Sequence, residues 1–247
     1  MSRVLKTAGV ALALFGVVQA RAQTLAALVP AEGTQPAAPW RVVGFPKAGA
    51  EIPLTQFEVA TVQGERALKV STQASYGTLV HDLPPVLAGR LQWRWRLDVP
   101  LSGGTHAPDI LTKAGDDAAL KLCVMLDHAL ARVPFVERTQ LRLARALSGE
   151  DLPAATLCYV WDSTHPAGTH GANPYSRRVR FISVQGRGAP LGQWQTESRD
   201  VAADFARLFA DEAGAQPPRV RAVLIGADSD NTASRSEGWV SAVSWLR

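Results

Sequence analysis

The side chains best equipped for chemistry are acidic and lie near the end of the chain. Asp228-Ser229-Asp230-Asn231 places three oxygen donors, Asp228, Asp230 and Asn231, in one short stretch. Hard cations such as calcium take several oxygen ligands from a tight turn. The stretch departs from the EF-hand loop, because Ala233 stands at its sixth position and Trp239 at its twelfth, where that loop needs Gly and Glu. Asp and Asn also build turns by bonding their own backbone, so the segment reads either as a calcium site or as a structural turn. Gly115-Asp116-Asp117 adds two carboxylates only if the fold brings both loops to one end. His165 and His170 share a loop while His81, His106 and His128 are scattered, which does not supply the three or four ligands at compatible spacing that zinc requires. No Gly-x-Ser-x-Gly nucleophile turn, phosphate loop or dinucleotide fingerprint occurs. The chain therefore reads as a protein that binds rather than transforms, with no organic cofactor.

Cationic side chains offer a second chemistry. In Leu91 to Asp98 the apolar residues Leu91, Trp93, Trp95 and Leu97 alternate with Gln92, Arg94 and Arg96. A two-residue period predicts a strand with one buried face and one polar face. Arg94, Arg96 and Lys121, with Arg178 and Arg180 on another alternating segment, are expected to line a ligand face. Arginine forks match carboxylates bidentately, so an acidic glycan is the expected partner. Tyr159, Trp161 and Tyr175 are candidates to stack on sugar rings. An enzymatic version, lyase-like or hydrolase-like, would use a Tyr or His base drawn from Tyr76, His81 and Tyr175. A third reading is an envelope module whose loops contact another protein.

The elements that must position these residues are mostly short strands. Trp40–Phe45, Phe57–Val62, Ala67–Ser71, Tyr76–Leu83, Leu91–Asp98, Leu120–Leu126, Thr156–Trp161, Arg178–Val184, Trp194–Val201, Val220–Ile225 and Trp239–Leu246 are predicted strands. Gln63-Gly64 is the expected turn of a hairpin. Short helices are predicted over residues 137–147 and 202–213. This pattern predicts an all-β fold, a two-sheet antiparallel sandwich of jelly-roll or galactose-binding, lectin-like type with one or two peripheral helices.

Residues 1–22 read as a signal peptide. Arg3 and Lys6 open it, an apolar run over Ala8–Val18 is too short to span a bilayer, and Ala20-Arg21-Ala22 gives a cleavage pattern. The mature chain is then expected in the periplasm or outside the cell, with residues 23–39 a flexible leader and residues 40–247 one domain. Loss of Arg3, Lys6 and Arg21 takes the formal charge from +4 to about +1, without the basic excess that nucleic-acid binding requires. No later segment is long and apolar enough for a membrane span, and a monomer is expected. Cys123 and Cys158, the only cysteines, fall in strand-like runs. They are either bridged, as an oxidising compartment allows, or two buried thiols acting as small hydrophobes.

Six segments occur in an order that resembles a known family. They are Trp93-Arg94-Trp95-Arg96, Gly115-Asp116-Asp117, Cys158-Tyr159-Val160-Trp161-Asp162, Asn173-Pro174-Tyr175, Arg199-Asp200-Val201 with Asp204-Phe205, and Asp228-Ser229-Asp230-Asn231-Thr232. Together they resemble the uncharacterised secreted bacterial family catalogued as domain of unknown function 3047, from about Trp40 to the C-terminus. The chain departs from that pattern at Lys121, where arginine is favoured, and at Ser241, where an acid is common. The resemblance implies a β-rich periplasmic domain and assigns no reaction.

Overall fold

The computed structural model describes residues 25–45, 52–149, 151–212, 214 and 216–246. The expected signal peptide and its cleavage point lie outside them. Two sheets face each other. One has seven strands, in the order β1 (Arg41–Val43), β4 (Tyr76–Val86), β11 (Arg219–Asp228), β6 (Leu120–Asp127), β7 (Ala155–Trp161), β9 (Val179–Gln185) and β8 (His170–Ala172). The other has five, in the order β10 (Gln195–Asp200), β5 (Arg90–Val99), β12 (Arg235–Leu246), β3 (Glu65–Gln73) and β2 (Gln56–Val62). Helices α1 (Phe135–Ser148) and α2 (Val201–Leu208) complete the fold. The sandwich follows from the two-residue rhythm, with one difference. β7 and β9 run parallel, while every other named strand pair is antiparallel.

β5 behaves as its alternation requires. Leu91, Trp93, Trp95 and Leu97 are buried in the core, and Arg94 and Arg96 are half-buried on the outer side. Trp93 packs against Tyr159 with ring centres 5.3 Å apart, and Trp95 against Trp161 at 5.5 Å, so aromatic pairs join the sheets through their centre. Burying each of these side chains is worth roughly 1.5–3 kcal/mol or more. The β2–β3 hairpin turns at Gln63 and Gly64, both with positive φ (51° and 81°), the geometry that favours Gly at such turns. β4 runs past its expected end at Leu83, through Pro84-Pro85 to Val86. β1 pairs only with residues 78–80 of β4, so the prolines have no ladder partner to lose on that side.

One further expectation changes, and one open alternative closes. Leu25–Pro39, whose composition reads as a flexible leader, is fastened to the domain: Leu25 and Leu28 are buried in the core. The Ala26 N–H donates to His81 Nε2 at 3.0 Å and Trp40 Nε1 donates to the Ala26 carbonyl at 3.2 Å. Cys123 and Cys158 stand opposite each other on β6 and β7 and are bridged. The bridge lies on the outer side of the seven-stranded sheet among Val80, Val160, Phe181 and Leu224. Closing the 35-residue separation contributes about 2–4 kcal/mol on the chain-entropy account.

Candidate functional site

Three loops, far apart in sequence, meet beside the outer face of the seven-stranded sheet. The first carries Gly115, Asp116 and Asp117 into β6. A Cβ at Gly115 would lie 2.5 Å from the Asp109 backbone nitrogen and 2.6 Å from the Ala107 carbonyl, so only glycine lets the loop fold this tightly. The second loop, after β8, carries Asn173 and Tyr175. The third, after β11, carries Asp230, Asn231 and Thr232. Asn173 Nδ2 donates to Asp116 Oδ2 at 2.6 Å, joining the first two loops. The backbone N–H groups of Asn231 and Thr232 donate to Asp117 at 3.2 and 2.8 Å, joining the first and third. The Tyr175 hydroxyl lies 2.9 Å from the Lys113 carbonyl and 3.2 Å from Asn231 Oδ1, and the residue is 59% exposed.

β6 and β11 form the floor. Lys121 alternates with the core residues Leu120 and Leu122, so its side chain leaves the outer face. There it donates to Asp228 Oδ2 at 2.7 Å and lies 5.3 Å from the Tyr76 ring centre. The other Asp228 oxygen accepts the Ala118 N–H at 2.8 Å. Burial, then the neighbouring charge of Asp228, pushes Asp116 up to about 7 and Asp230 up to about 6. Burial also raises the Tyr76 hydroxyl. Lys121 is held above its usual value by Asp228 although its own burial opposes this.

Carboxylate oxygens of Asp117, Asp228 and Asp230 lie within 4.8 Å of one another, close enough for one cation to reach all three. Asp117 and Asp228 already accept bonds from Thr232, Asn231, Ala118 and Lys121, so any cation would compete with an ammonium and with backbone donors. What the site leaves open to solvent is Tyr175 and the partly exposed Asp230, Asn231 and Asn173. A cleft of about 510 Å³ runs beside it, lined by Asn173, Tyr175, Arg177, Glu137 and Leu141 among others.

The cations expected to line one ligand face are divided among three surfaces, and each is paired. Arg94, on the outer face of the five-stranded sheet, grips Glu65 with bonds of 3.1 and 2.9 Å and lies 4.9 Å from the Trp194 ring centre. Arg96, on the same face, bonds Asp98 at 2.5 Å. Lys121 belongs to the other sheet. Arg178 and Arg180 point inward from β9 and are buried against Glu212, with Asp211 and Glu137 completing the network. β9 turns these two inward because Val179 and Phe181, between and beside them, pack on the outer cluster.

Tyr159 and Trp161, expected as stacking platforms, are core residues, and Tyr159 donates its hydroxyl to Asp204 at 3.0 Å. The same Asp204 pairs with Arg199 at 2.6 Å, so these two family-resembling segments tie α2 to the sheet. Of the three residues considered for a base, Tyr76 and Tyr175 border the acidic cluster. His81 lies on the other side of β4, an odd number of residues from Tyr76, where it packs against Trp40. Asn173 and Lys113 had no distinguishing sequence signal of their own. What could have grouped the site is that all three loops are segments that carry the family resemblance.

A family model for a protein of unknown function, DUF3047, matches residues 38–244, and the chain belongs to that family. A search of curated proteins found no match. Among solved structures the chain is similar to TmCBM61 in complex with β-1,4-galactotriose, at 11% identity and a TM-score of 0.34, covering 85% of this chain and 89% of that one. It is also similar to the xyloglucanase domain of NopAA, a type three effector from Sinorhizobium fredii, in complex with cellobiose. There the identity is 9% and the TM-score 0.42, over 85% of this chain and 99% of that one. Likeness at that level carries no ligand over to this chain.

Proposed function

We propose, with membership of the DUF3047 family as the premise, that the protein is an extracytoplasmic domain that binds a hydroxyl-rich glycan at the three-loop acidic site. The observation that carries this reading is the delivery of one exposed tyrosine ring, two amides and several carboxylates to a single place from three loops. Sugar hydroxyls donate to carboxylates and accept from amides, and a sugar ring packs on an aromatic face. The expectation of an acidic glycan gives way here to a neutral one. The partly exposed acid of the site, Asp230, would repel a uronate, and the arginines that would recognise one are already occupied by Glu65, Asp98 and Glu212. The disulfide supports an oxidising compartment, and among the described residues no helix is long and apolar enough to cross a membrane.

Titration calorimetry with neutral and uronate-containing oligosaccharides tests the proposal. Neutral chains are expected to bind, and Tyr175→Ala and Asp230→Asn each to weaken binding by at least about tenfold, the loss of one stacking or charge-assisted contact worth about 1.4 kcal/mol. Absence of heat with every sugar would remove the reading. Preference for uronates would return it to the arginine-bearing face.

Calcium is a second reading, favoured by the mutual approach of Asp117, Asp228 and Asp230. It predicts a melting temperature that rises with added calcium and falls back with chelator, because a ligand bound only by the native state stabilises it. Of these three ligands Asp230 holds its proton up to about 6, and binding must displace it, so the calcium effect is expected to be larger at pH 8 than at pH 5. A melting curve indifferent to calcium at both pH values excludes this ligand.

A further inference from the structure

Helix α1 presents an apolar stripe to solvent on the side opposite its attachment. Leu141 is its one buried residue, set against Val133 and Ala154. Phe135, Val136, Leu143 and Leu147 are 73%, 65%, 60% and 80% exposed. At about 100° per residue these four, with Thr139 and Ala146, fall in one sector of roughly 120° centred on the side away from Leu141. They are four of the twelve large hydrophobic side chains exposed among the described residues, concentrated on one short helix. No core requirement places leucine at 143 and 147.

The rim of this stripe is basic. Arg138 and Arg142 border it along the helix, and Arg132 lies just ahead. None of the three has an acidic partner among the described residues. The helix's acid, Glu137, is turned aside to Arg177 and Arg178. Arg145 is likewise removed from the rim, bonding the Leu152 carbonyl and Asp151.

We infer that α1 is an interfacial anchor that lays Phe135, Val136, Leu143 and Leu147 into the surface of a membrane rich in anionic phospholipid. An apolar stripe edged by arginines complements a layer whose headgroups are negative and whose interior is hydrocarbon. A protein partner would need an acidic rim around its own apolar groove. A bilayer supplies both properties with no matched sequence. The helix, about 21 Å long at 1.5 Å per residue, lies on such a surface and does not cross it. Leu141, Glu137 and Arg145 hold the helix to the domain on its other side, which leaves the stripe free to face outward without disturbing the sandwich. This inference is independent of the glycan reading.

Co-sedimentation of the mature protein with vesicles tests it. Vesicles containing phosphatidylglycerol are expected to bind at least about tenfold more protein than vesicles of phosphatidylcholine alone, and added salt is expected to narrow that difference. Leu143→Ser with Leu147→Ser is expected to lower binding at least about tenfold. Arg138→Glu with Arg142→Glu is expected to abolish the preference for phosphatidylglycerol. Leu143, Leu147 and Arg142 are exposed and Arg138 is half-buried with one long bond to the Ala131 carbonyl, so both variants should keep a melting temperature close to wild type, which shows that the loss is not unfolding. Failure to bind either vesicle overturns the inference. So does equal binding to both, or a solution dimer that the leucine substitutions dissociate, which would assign the stripe to a second copy of the chain.

Discussion

Raising the pH from 5 to 8 is expected to weaken the folded protein, and Asp116→Asn to remove a large part of that loss. Asp116 is buried and faces Asp228, and these two effects hold its proton to about 7, against 3.8 for the ordinary side chain. The native state therefore keeps a proton that the unfolded chain releases. Between about pH 4 and 7 the folded form binds more protons, so its stability falls as pH rises through that window. Below it both states are protonated, and above it both are ionised and the loss is complete. About two pH units of that window lie within the range from 5 to 8, and at ~1.36 kcal/mol each they set the loss there at about 3 kcal/mol for this one group. Asparagine keeps a side-chain oxygen for the Asn173 amide, which donates to Asp116 at 2.6 Å, while removing the titration. Urea melts of both proteins at pH 5, 6, 7 and 8 give the comparison. Asp230, held up to about 6, titrates in both proteins, so the difference between the two curves isolates Asp116. Parallel curves would show that Asp116 ionises normally.

Glu212→Ala is expected to destabilise the fold by about 3–5 kcal/mol, the usual cost of stranding a buried charge. The Glu212 carboxylate is fully buried and receives Arg178 at 2.5 Å, Arg180 at 3.0 Å and His128 at 3.1 Å. Burial would raise its pKa, but hydrogen bonds from Arg178 and His128 outweigh that and hold it at about 2. Its contribution is therefore present above about pH 4.5 and is lost as pH falls towards 2. Alanine leaves Arg178, which also bonds the Ala154 carbonyl, partly compensated by Glu137, and removes the shared anchor of Arg180. Glu212→Gln should cost less, since the amide oxygen can still accept one of the arginine bonds. Denaturant midpoints of the two variants measure both effects. A change below about 1 kcal/mol for alanine would mean that the arginines find other partners at no cost. These arginines thus hold the sandwich together, whereas their alternation in sequence pointed to a ligand face.

That contrast marks where the sequence was sufficient. The two-residue alternation of β5 determined which of its side chains are buried, because pleating sends neighbours to opposite faces whatever else the chain does. The turn at Gln63-Gly64, the presence of a helix over residues 137–147 and the sandwich architecture are likewise local or nearly local consequences, and each was legible, whereas the face that α1 turns to solvent was not. β9 shows the limit of the same rule. Its alternation was visible, but which face turned inward depended on Val179 and Phe181 finding the outer cluster with the disulfide, and on Glu212 waiting across a gap of some thirty residues.

The site itself was a tertiary decision. Asp116, Asn173 and Asn231 are separated by more than fifty residues at each step, and only strand order brings them together, β6 beside β11 and β7, with β9 and β8 beyond. Sequence supplied the acids, the amides and the tyrosine. The pairing of strands decided that they would share one place in which the acids lose much of their water, and desolvation is what moves Asp116 and Asp230 towards neutrality.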